Sequence, residues 1–323
     1  MSSPERAVAT RNNSSGIKIG GRGNIQTPKM SPGNNQDQAS PDLPDVQLNM
    51  ADDLNFIVLK AGPAQVVIDL AAGARIASWQ VHGLELLEPR NETNHPFGWG
   101  SYAMVPYAGR IRNGKLGYDG INRSLPVNMG DHAIHGIGYD QPWTLLSATN
   151  SMAIVGLRFS DPWPFAGTVT HLFQLSNDRL IQQMSVSSNV DQPVTIGWHP
   201  WFRRELGVGQ PLLIDVDLTH AKHWVKDETG LPTGKMGAIP AHPWDDCFHN
   251  VGQLNLRWPG ALTIRVTHDC PDVVIYEPEH AICVEPQSGP PDSANITPDD
   301  ALLPAGSALE HTVQWRWTMA SRP

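Results

Sequence analysis

After Leu54, hydrophobic and polar side chains alternate with a period of two along many short segments of the chain. The even-numbered positions of segment 212–219 are Leu, Ile, Val and Leu, whereas the odd-numbered positions are mostly polar. Segment 262–267 alternates in the same way, and in segment 309–317 the mostly apolar positions are the odd-numbered ones, ending in Trp315 and Trp317. This period is typical of β-strands that bury one face.

Further strands are predicted over Ala64–Leu70 and Arg75–Leu87, the second interrupted by a turn at His82-Gly83. No segment of about twelve residues has the 3.6-residue period of an amphipathic helix, so we expect few and short helices. This pattern predicts well over ~10 strands, and a sheet of that size is expected to split into two packed sheets. The predicted fold class is all-β, a large antiparallel β-sandwich.

The first part of the chain lacks this pattern. Residues 1–53 are rich in Ser, Asn, Gly, Pro and Gln and nearly free of aromatic side chains. Such a segment buries too little apolar surface to offset the entropy of ordering, so it is predicted to be a disordered N-terminal tail. Residues 54–320 are predicted to form a single β-sandwich catalytic domain.

Composition narrows the class of partner. The 323 residues contain 23 Lys and Arg against 32 Asp and Glu, giving a net charge of −9. We therefore expect neither nucleic acid nor a membrane surface as a partner, and a small neutral molecule fits better. Three cysteines form no C-x-x-C pair, and no membrane span or signal peptide is evident, which predicts reduced thiols in a cytoplasmic protein.

The stretch Pro193–Arg204 places one histidine, His199, between Trp198 and Trp201. An apolar, β-prone run leads into a His-Pro step, and a proline biases the residue before it toward extended backbone. We therefore expect His199 at the end of a strand, with aromatic neighbours that shift its pKa toward acid or base catalysis. Strand alternation sends the two tryptophans to opposite sides unless the His-Pro step bends the chain, so which one meets a ligand stays open.

Two other stretches carry basic groups on predicted turns. Arg110 follows a Pro-Tyr-Ala-Gly turn and could direct several donors at a hydroxyl or carboxylate. His132 and His135 are three positions apart, which places them on opposite faces of a strand, and no third ligand is near in sequence. We therefore predict no metal there and interpret His135 as a hydrogen-bonding group on the His135-Gly136 turn.

Two acidic stretches complete the candidate site. Of the adjacent Asp245 and Asp246, only one can point into a given pocket. Glu285 follows the apolar run Ile282–Val284, where a carboxylate is costly unless it is paired or reactive. Charged groups beside flat aromatic faces suit a sugar. A His–Glu acid/base pair acting on a hemiacetal and a carboxylate pair of a glycoside hydrolase both fit this set.

The chain resembles the aldose 1-epimerase (galactose mutarotase) family over about residues 54–318. The resemblance rests on an ordered set of motifs with similar spacing, together with the His135-Gly136 step: W-G-S-Y-A-M-V-P-Y-A-G-R-I at 99–111, W-P-F-A at 163–166, G-W-H-P-W-F at 197–202, D-D-C-F at 245–248 and V-E-P-Q-S-G-P-P-D-S-A-N at 284–295. Each motif is weak alone, and the ordered set is strong.

The resemblance implies the galactose mutarotase-like supersandwich and an isomerase that interconverts the α and β anomers of an aldohexose such as galactose or glucose, without a cofactor. It implies that His199 is the general acid at the ring oxygen and Glu285 the general base on the anomeric hydroxyl. Arg110, His135 and Asp245 match substrate-binding residues. Aligning Phe248 with the family's phenylalanine selects Asp245, with Asp246 as runner-up.

Departures from the family pattern bear on the substrate. Gly109 stands where many relatives have Asn, and Trp201 stands where Tyr is commoner. A hexose-6-phosphate 1-epimerase is one alternative; it needs extra cations, for which Arg112, Arg203 and Arg204 are available. A non-catalytic sugar-binding module of the same fold is another alternative.

Overall fold

The computed structural model describes residues 55–91 and 96–321. The predicted disordered tail, residues 1–53, lies outside the described residues, and the domain boundaries at 54 and 320 stay a prediction. Within the described ranges the chain forms 25 strands, one 3₁₀ turn at Arg112–Gly114, and two one-turn helices, α1 (Ser293–Ile296) and α2 (Pro298–Ala301). None of these helices is long and apolar enough to cross a bilayer.

The strands are short, as turn-rich sequence predicts. In chain order they are β1 (Phe56–Ala61), β2 (Ala64–Asp69), β3 (Arg75–Val81), β4 (Leu84–Glu85), β5 (Ser101–Met104), β6 (Arg110–Ile111), β7 (Lys115–Tyr118), β8 (Ile121–Ser124), β9 (Ala133–Ile134), β10 (Thr144–Ala148), β11 (Met152–Arg158), β12 (Thr168–Leu175), β13 (Arg179–Ser187), β14 (Gln192–Pro193), β15 (Gly197–Arg203), β16 (Leu213–Val216), β17 (Lys222–Lys226), β18 (Pro232–Gly237), β19 (Asp245–His249), β20 (Leu254–Trp258), β21 (Leu262–His268), β22 (Asp272–Tyr276), β23 (Ala281–Gln287), β24 (Leu302–Leu303) and β25 (Ala308–Met319).

Two large sheets contain most of these strands. The first has the order β1-β2-β3-β5-β15-β23-β22-β19-β17-β18, with β4 paired to β3, and the second has the order β10-β11-β12-β13-β25-β21-β20-β16. Neighbouring strands in both sheets are antiparallel, for example β15 with β23 and β13 with β25. The prediction of a large antiparallel β-sandwich with few short helices is confirmed.

Aromatic side chains fill the space between the two sheets. Trp79 of the first sheet contacts Trp315 of the second with ring centroids 6.4 Å apart, and Phe202 lies 5.4 Å from the same indole. Trp258 from the second sheet packs edge-on against Phe202. Large buried aromatic rings contribute most of the apolar area in such a core, so these contacts hold the sheets together.

The alternation predicted from sequence is present in the strands that face this core. In β25 the side chains of Val313, Trp315 and Trp317 are buried, whereas Arg316 between them is exposed. In β21 the buried residues are Leu262, Ile264 and Val266. The turn at His82-Gly83 lies between β3 and β4, where both residues have positive φ.

The expectation that a strand ends at the His-Pro step is wrong. His199 is the third residue of β15, which continues through Pro200 to Arg203. Pro200 has no N–H to donate, and the ladder to β23 is formed on either side of it, by Gly197–Gln287 and by Trp201–Cys283. Along the opposite edge of β15, Pro200 pairs with Ser101 of β5. Strand β15 therefore continues between β5 and β23 through the proline.

Strand β23 is buried on both faces, because all seven of its residues are shielded from solvent. Ile282 and Val284 point into the core between the sheets. The alternate residues Cys283, Glu285 and Gln287 therefore lie on the opposite face of the sheet. A buried, polar second face on a central strand is where the candidate site is found.

Candidate functional site

The polar face of the first sheet carries a row of residues that face one another across neighbouring strands. Cys247 pairs with Val274, and Val274 pairs with Glu285. The pairs Gly197–Gln287 and Trp201–Cys283 fix the register of β15 and β23, so His199 lies directly across from Glu285. Tyr102 of β5 pairs with His199 and ends the row. Five strands thus form this row, and two of them, β15 and β23, bring the histidine and the acid to one place.

A cavity of about 240 Å³ opens onto this face of the sheet. All five residues singled out from the sequence line it: Arg110, His135, His199, Asp245 and Glu285. The structure therefore brings together every predicted site residue, although they span 176 positions of the chain, from 110 to 285.

His199 and Glu285 are in direct contact at the floor of this cavity. Nε2 of His199 lies 3.3 Å from Oε1 of Glu285, and both side chains are buried. Burial raises the pKa of Glu285 well above its ordinary value, and Asp245 raises it further. Burial, reinforced by the charge of Arg75, lowers the pKa of His199 to about 3. Both shifts favour the uncharged forms of the two side chains.

Two parallel rings hold the imidazole of His199 in place. The ring of Tyr102 is nearly parallel to it with centroids 4.8 Å apart, and the ring of Trp201 is nearly parallel to it at 5.3 Å. Trp198, in contrast, points into the core, where its indole N–H donates to Nε2 of His171 over 3.1 Å. Trp201 is therefore the tryptophan that lines the cavity, and the alternation expected from sequence survives the His-Pro step.

The stack continues below Tyr102 to a buried cation. The guanidinium carbon of Arg75 lies 4.5 Å from the ring centroid of Tyr102 and 4.2 Å from that of Trp99. Arg75 is 2% exposed and donates to the carbonyl oxygens of Trp99 and Tyr139. Burial lowers its pKa to about 10, which still leaves a positive charge under Tyr102 at neutral pH. His199 therefore lies one ring away from a buried positive charge.

Glu285 has a second neighbour that the sequence reading missed. Nε2 of Gln287 donates to Oε2 of Glu285 over 3.2 Å, which orients the carboxyl group. Oε1 of Gln287 is buried without a hydrogen-bond partner among the described residues, and Gln287 lines the cavity. The signal was available, because residues two apart on a strand share a face.

His135 is presented by a tight turn, as expected. It has a φ of 63°, followed by Gly136 at 73°, and its N–H donates to the carbonyl oxygen of Gly109 over 2.9 Å. A Cβ atom on Gly136 would lie 2.1 Å from the carbonyl oxygen of Val105, so only glycine fits there. The ring of His135 meets that of His199 edge-on at 5.0 Å, and burial lowers the pKa of His135 well below its ordinary value.

The local backbone gives a reason for the glycine before Arg110. Gly109 has a φ of 69°, and a Cβ atom there would lie 2.8 Å from the side chain of Pro291. The loop after β23 thus packs on the turn that presents Arg110, and the carbonyl oxygen of Arg110 accepts the N–H of Asp292 over 2.7 Å. The amide that many relatives carry at this position has no room here without movement of the Pro291 loop.

The two adjacent aspartates have different partners. Asp246 is buried and bonds to both His223 and Lys226, at 2.8 and 2.9 Å. Burial acts to raise the pKa of Asp246, but the bonds from Lys226 and His223 outweigh it and lower the pKa. Asp245 is exposed at the cavity rim, with its backbone fixed by Lys226 and by the carboxylate of Asp246. Asp245 is therefore the aspartate with a carboxylate available to a ligand.

Of the three arginines considered for a phosphate, none lines the cavity in the part of the chain that is described. Arg112 pairs with Asp227 at 2.8 Å and lies 3.5 Å from Asp292. Arg203 approaches Glu88, and Nε of Arg204 donates to the carbonyl oxygen of Pro278. The extra cations that a phosphorylated sugar needs are engaged elsewhere.

His132 does not join the site. Its Nδ1 accepts the backbone N–H of Asn113 over 3.1 Å. Besides Gln287, the cavity-lining residues that sequence reasoning did not single out include Phe97, Lys226 and Tyr276. Tyr276 ends the apolar strand β22 and could have been inferred from its position, whereas no local signal marks Lys226.

Comparisons with known proteins agree with this fold. The family model for aldose 1-epimerase matches residues 56–316. YihR of Escherichia coli K12, described as uncharacterized, is 24% identical over 292 residues, covering 77% of this chain and 89% of YihR.

Solved structures show the same fold at low sequence identity. Galactose 1-epimerase from Lactobacillus acidophilus NCFM has a TM-score of 0.67 and 20% identity, covering 82% of this chain and 95% of that one. A galactose mutarotase-like protein from Clostridium acetobutylicum has a TM-score of 0.71 and 17% identity, with the same shares covered.

Proposed function

Because the chain belongs to the aldose 1-epimerase family, we propose that it interconverts the α and β anomers of a free hexose by opening and reclosing the sugar ring. The observation that carries this proposal is the 3.3 Å approach of Nε2 of His199 to Oε1 of Glu285 inside the cavity. Anomer exchange needs a base for the C1 hydroxyl and an acid for the ring oxygen. Both oxygens are bonded to C1, so the acid and the base must be neighbours.

In the proposed mechanism Glu285 removes the proton from the C1 hydroxyl while protonated His199 donates one to the ring oxygen. The bond between C1 and the ring oxygen breaks, and the C1–O1 bond becomes the carbonyl of an open aldehyde. Rotation about C1–C2 exposes the other face of the carbonyl. The two groups then exchange roles and the ring recloses as the opposite anomer. The reaction needs no cofactor.

The burial of the pair favours the ring-opening direction of these proton transfers. The proposed reactive form of the pair, reached when the carboxyl proton passes to His199, has Glu285 as an anion and His199 as a cation; once the ring has opened, both are neutral. Burial raises the pKa of Glu285 and lowers that of His199, so the neutral arrangement is the more stable one in this cavity. Ring opening, which is uphill for the sugar, is thus coupled to the discharge of two buried groups.

We assign substrate contacts to the other predicted residues. Arg110 offers directed donors and His135 a ring nitrogen to the sugar hydroxyls, and Asp245 at the rim offers an acceptor. The face of Trp201 suits the apolar C–H side of a pyranose. Each of these contacts is part of the proposal.

A free hexose is favoured over a hexose 6-phosphate, because Arg112, Arg203 and Arg204 are paired outside the cavity. Lys226, which lines the cavity, is neutralised by Asp246. We include a cytoplasmic location in the proposal, supported by the three free cysteines.

The test is anomer exchange of galactose and glucose, followed by NMR exchange or polarimetry with the spontaneous rate subtracted. Glu285→Gln and His199→Asn should each lower the catalysed rate by roughly 10² to 10⁴. A matched control is the His242–Glu277 pair, whose Nδ1 and Oε2 atoms are 2.7 Å apart outside the cavity. His242→Asn and Glu277→Gln should keep the rate.

Near wild-type exchange in Glu285→Gln or His199→Asn would contradict the assignment. Sugar binding by the wild-type protein without any anomer exchange would indicate a non-catalytic binding module. Faster exchange of glucose 6-phosphate than of glucose would favour the hexose-6-phosphate alternative.

A further inference from the structure

We propose that His199, Cys283 and Glu285 together form a binding site for a thiophilic divalent transition-metal ion such as Zn²⁺, which competes with the sugar. The ligand atoms of these three side chains all lie within 4.8 Å of one another, and all three residues are buried. Nothing in the proposed reaction uses Cys283, so its place beside the acid/base pair calls for a separate explanation.

Strand geometry brings the thiol to the pair. Cys283 and Glu285 are two residues apart on β23, so their side chains share the polar face of the sheet. Trp201 pairs with Cys283 across the strands, and His199, two residues before Trp201, lies across from Glu285. The three ligands therefore come from two adjacent strands of a rigid sheet, which fixes their spacing.

The spacing suits a small tetrahedral ion. Zinc binds thiolate sulfur at about 2.3 Å and imidazole nitrogen or carboxylate oxygen at about 2.0 to 2.2 Å. Three ligand atoms at most 4.8 Å apart can all coordinate one ion after small side-chain movements. His199 Nε2, at 3.3 Å from Oε1 of Glu285, is already at a separation that shared coordination requires. The cavity above the pair leaves the fourth position open to water.

The ligand set selects the class of ion. One sulfur, one imidazole nitrogen and one carboxylate oxygen match zinc, cobalt, nickel and copper, whereas magnesium and calcium prefer oxygen ligands alone. Asp245 pairs with Tyr276 across two strands, and Tyr276 pairs with Cys283 on the next strand. Asp245 therefore adds a further carboxylate on the same face of the sheet. When Glu285 and Cys283 lose their protons on metal binding, they and Asp245 place negative charge around the ion.

Occupation would block the reaction proposed above, and this consequence rests on the proposed function. The metal would take Nε2 of His199 and an oxygen of Glu285, which are the atoms proposed to carry protons. Transition metals should therefore inhibit anomer exchange competitively with the sugar, and a chelator should restore it. Binding itself does not depend on the reaction and can be measured separately.

A second group of potential ligands provides the matched control. Asp269, Cys270 and His311 also lie within 4.8 Å of one another, where β21 meets β25. Here the histidine and the aspartate are already bonded to each other, with Nδ1 and Oδ1 2.9 Å apart, and the aspartate also accepts the N–H of Thr312. Asp269 is also exposed, whereas all three residues of the first group are buried.

The experiment is titration of the chelator-treated, full-length protein with Co²⁺, whose bond to a thiolate gives a charge-transfer absorption in the near ultraviolet. The band should appear in the wild-type protein and in the control variants Cys270→Ala and Cys247→Ala. It should be absent in Cys283→Ala and in the nearly isosteric Cys283→Ser, with Zn²⁺ affinity at least about tenfold weaker. Thermal unfolding of each variant checks that it is folded.

Absence of the band in the wild-type protein would overturn the proposal, as would its loss in Cys270→Ala with retention in the folded Cys283 variants. The second measurement is the Zn²⁺ concentration that halves anomer exchange, expected to rise at least about tenfold in Cys283→Ser and to stay unchanged in Cys270→Ala. A cobalt band that depends on Cys283 in a protein without anomer exchange would refute the proposed function and keep the metal site.

Discussion

One face of strand β15 contacts the buried His171, and the other face carries the buried His199. Only His199 is placed to act on a ligand. On the core face, Trp198 donates its indole N–H to His171, whose pKa burial lowers to about 3. On the polar face, His199 is also buried, and its pKa is likewise lowered to about 3. Burial and titration alone do not distinguish the two rings.

Partners and access make the difference. Nε2 of His171 is occupied by a tryptophan inside the sandwich, and its ring packs 4.0 Å from Phe173. His199 faces Glu285 at 3.3 Å and lines a cavity. A perturbed histidine becomes a candidate catalyst only where a second titratable group and space for a substrate meet it.

The largest effect should come from substituting these two histidines one at a time. His199→Asn should lower anomer exchange by roughly 10² to 10⁴, since it removes the proposed acid. His171→Leu should leave the rate per folded molecule unchanged and lower the free energy of unfolding by about 1 to 3 kcal/mol, because the Trp198 N–H loses its acceptor. Urea unfolding and polarimetry on the same preparations measure both quantities.

Equal rate losses in the two variants would remove the distinction between the faces. Such a result would mean that His199 acts through packing, as His171 does, and not by transferring a proton.

An intermediate effect concerns stability, because the pocket side of β15 faces a carboxyl group that the core side lacks. Burial, with a further contribution from Asp245, raises the pKa of Glu285 above its ordinary value of 4.5. Above pH 4.5 the unfolded chain releases this proton while the folded protein keeps it. Since the folded state then binds more protons, stability falls as pH rises from 4.5 to the raised pKa of Glu285 in the folded protein. Glu285→Gln has no such dependence.

We therefore expect the stability of Glu285→Gln relative to wild type to increase as the pH rises from 4.5 to 8. Chemical unfolding at several pH values measures the difference. Glu277→Gln, outside the cavity, serves as the carboxyl-to-amide control. A stability difference between Glu285→Gln and wild type that is independent of pH would show that the carboxyl group is not held protonated by the fold.

Much of this site could be predicted from the sequence, and strand periodicity explains why. Alternation identified the strands, and the expense of a carboxylate after an apolar run identified Glu285. The same alternation placed Trp198 and Trp201 on opposite sides of β15. The His-Pro step was the exception, because the loss of one backbone donor at Pro200 is tolerated by ladders on either side.

The remaining residues could not be predicted because their importance arises from long-range pairing. Arg75 reaches the site through Tyr102 and Lys226 through Asp246. Both contacts depend on the order of strands in the sheet, which no local pattern specifies. Gln287 is different, since it shares a face with Glu285 and belongs to the same motif.

The smallest effect tests the buried cation, which has no counterpart on the core side of β15. Arg75 stacks under Tyr102, which stacks on His199, and its positive charge contributes to the lowered pKa of His199. Arg75→Met should raise the pKa of His199 and change anomer exchange by less than about tenfold. Arg75→Lys keeps the charge while losing the planar contact, so it should leave that pKa near the wild-type value.

Histidine NMR titration and the pH profile of anomer exchange in both variants separate charge from packing. Both substitutions disturb the hydrogen bonds that Arg75 donates to the carbonyl oxygens of Trp99 and Tyr139, so both should lose stability to a similar extent. The difference between Met and Lys then isolates the charge. If the two variants shift the pKa of His199 equally, Arg75 acts by supporting the stack of rings, and the comparison between the faces rests on Glu285 alone.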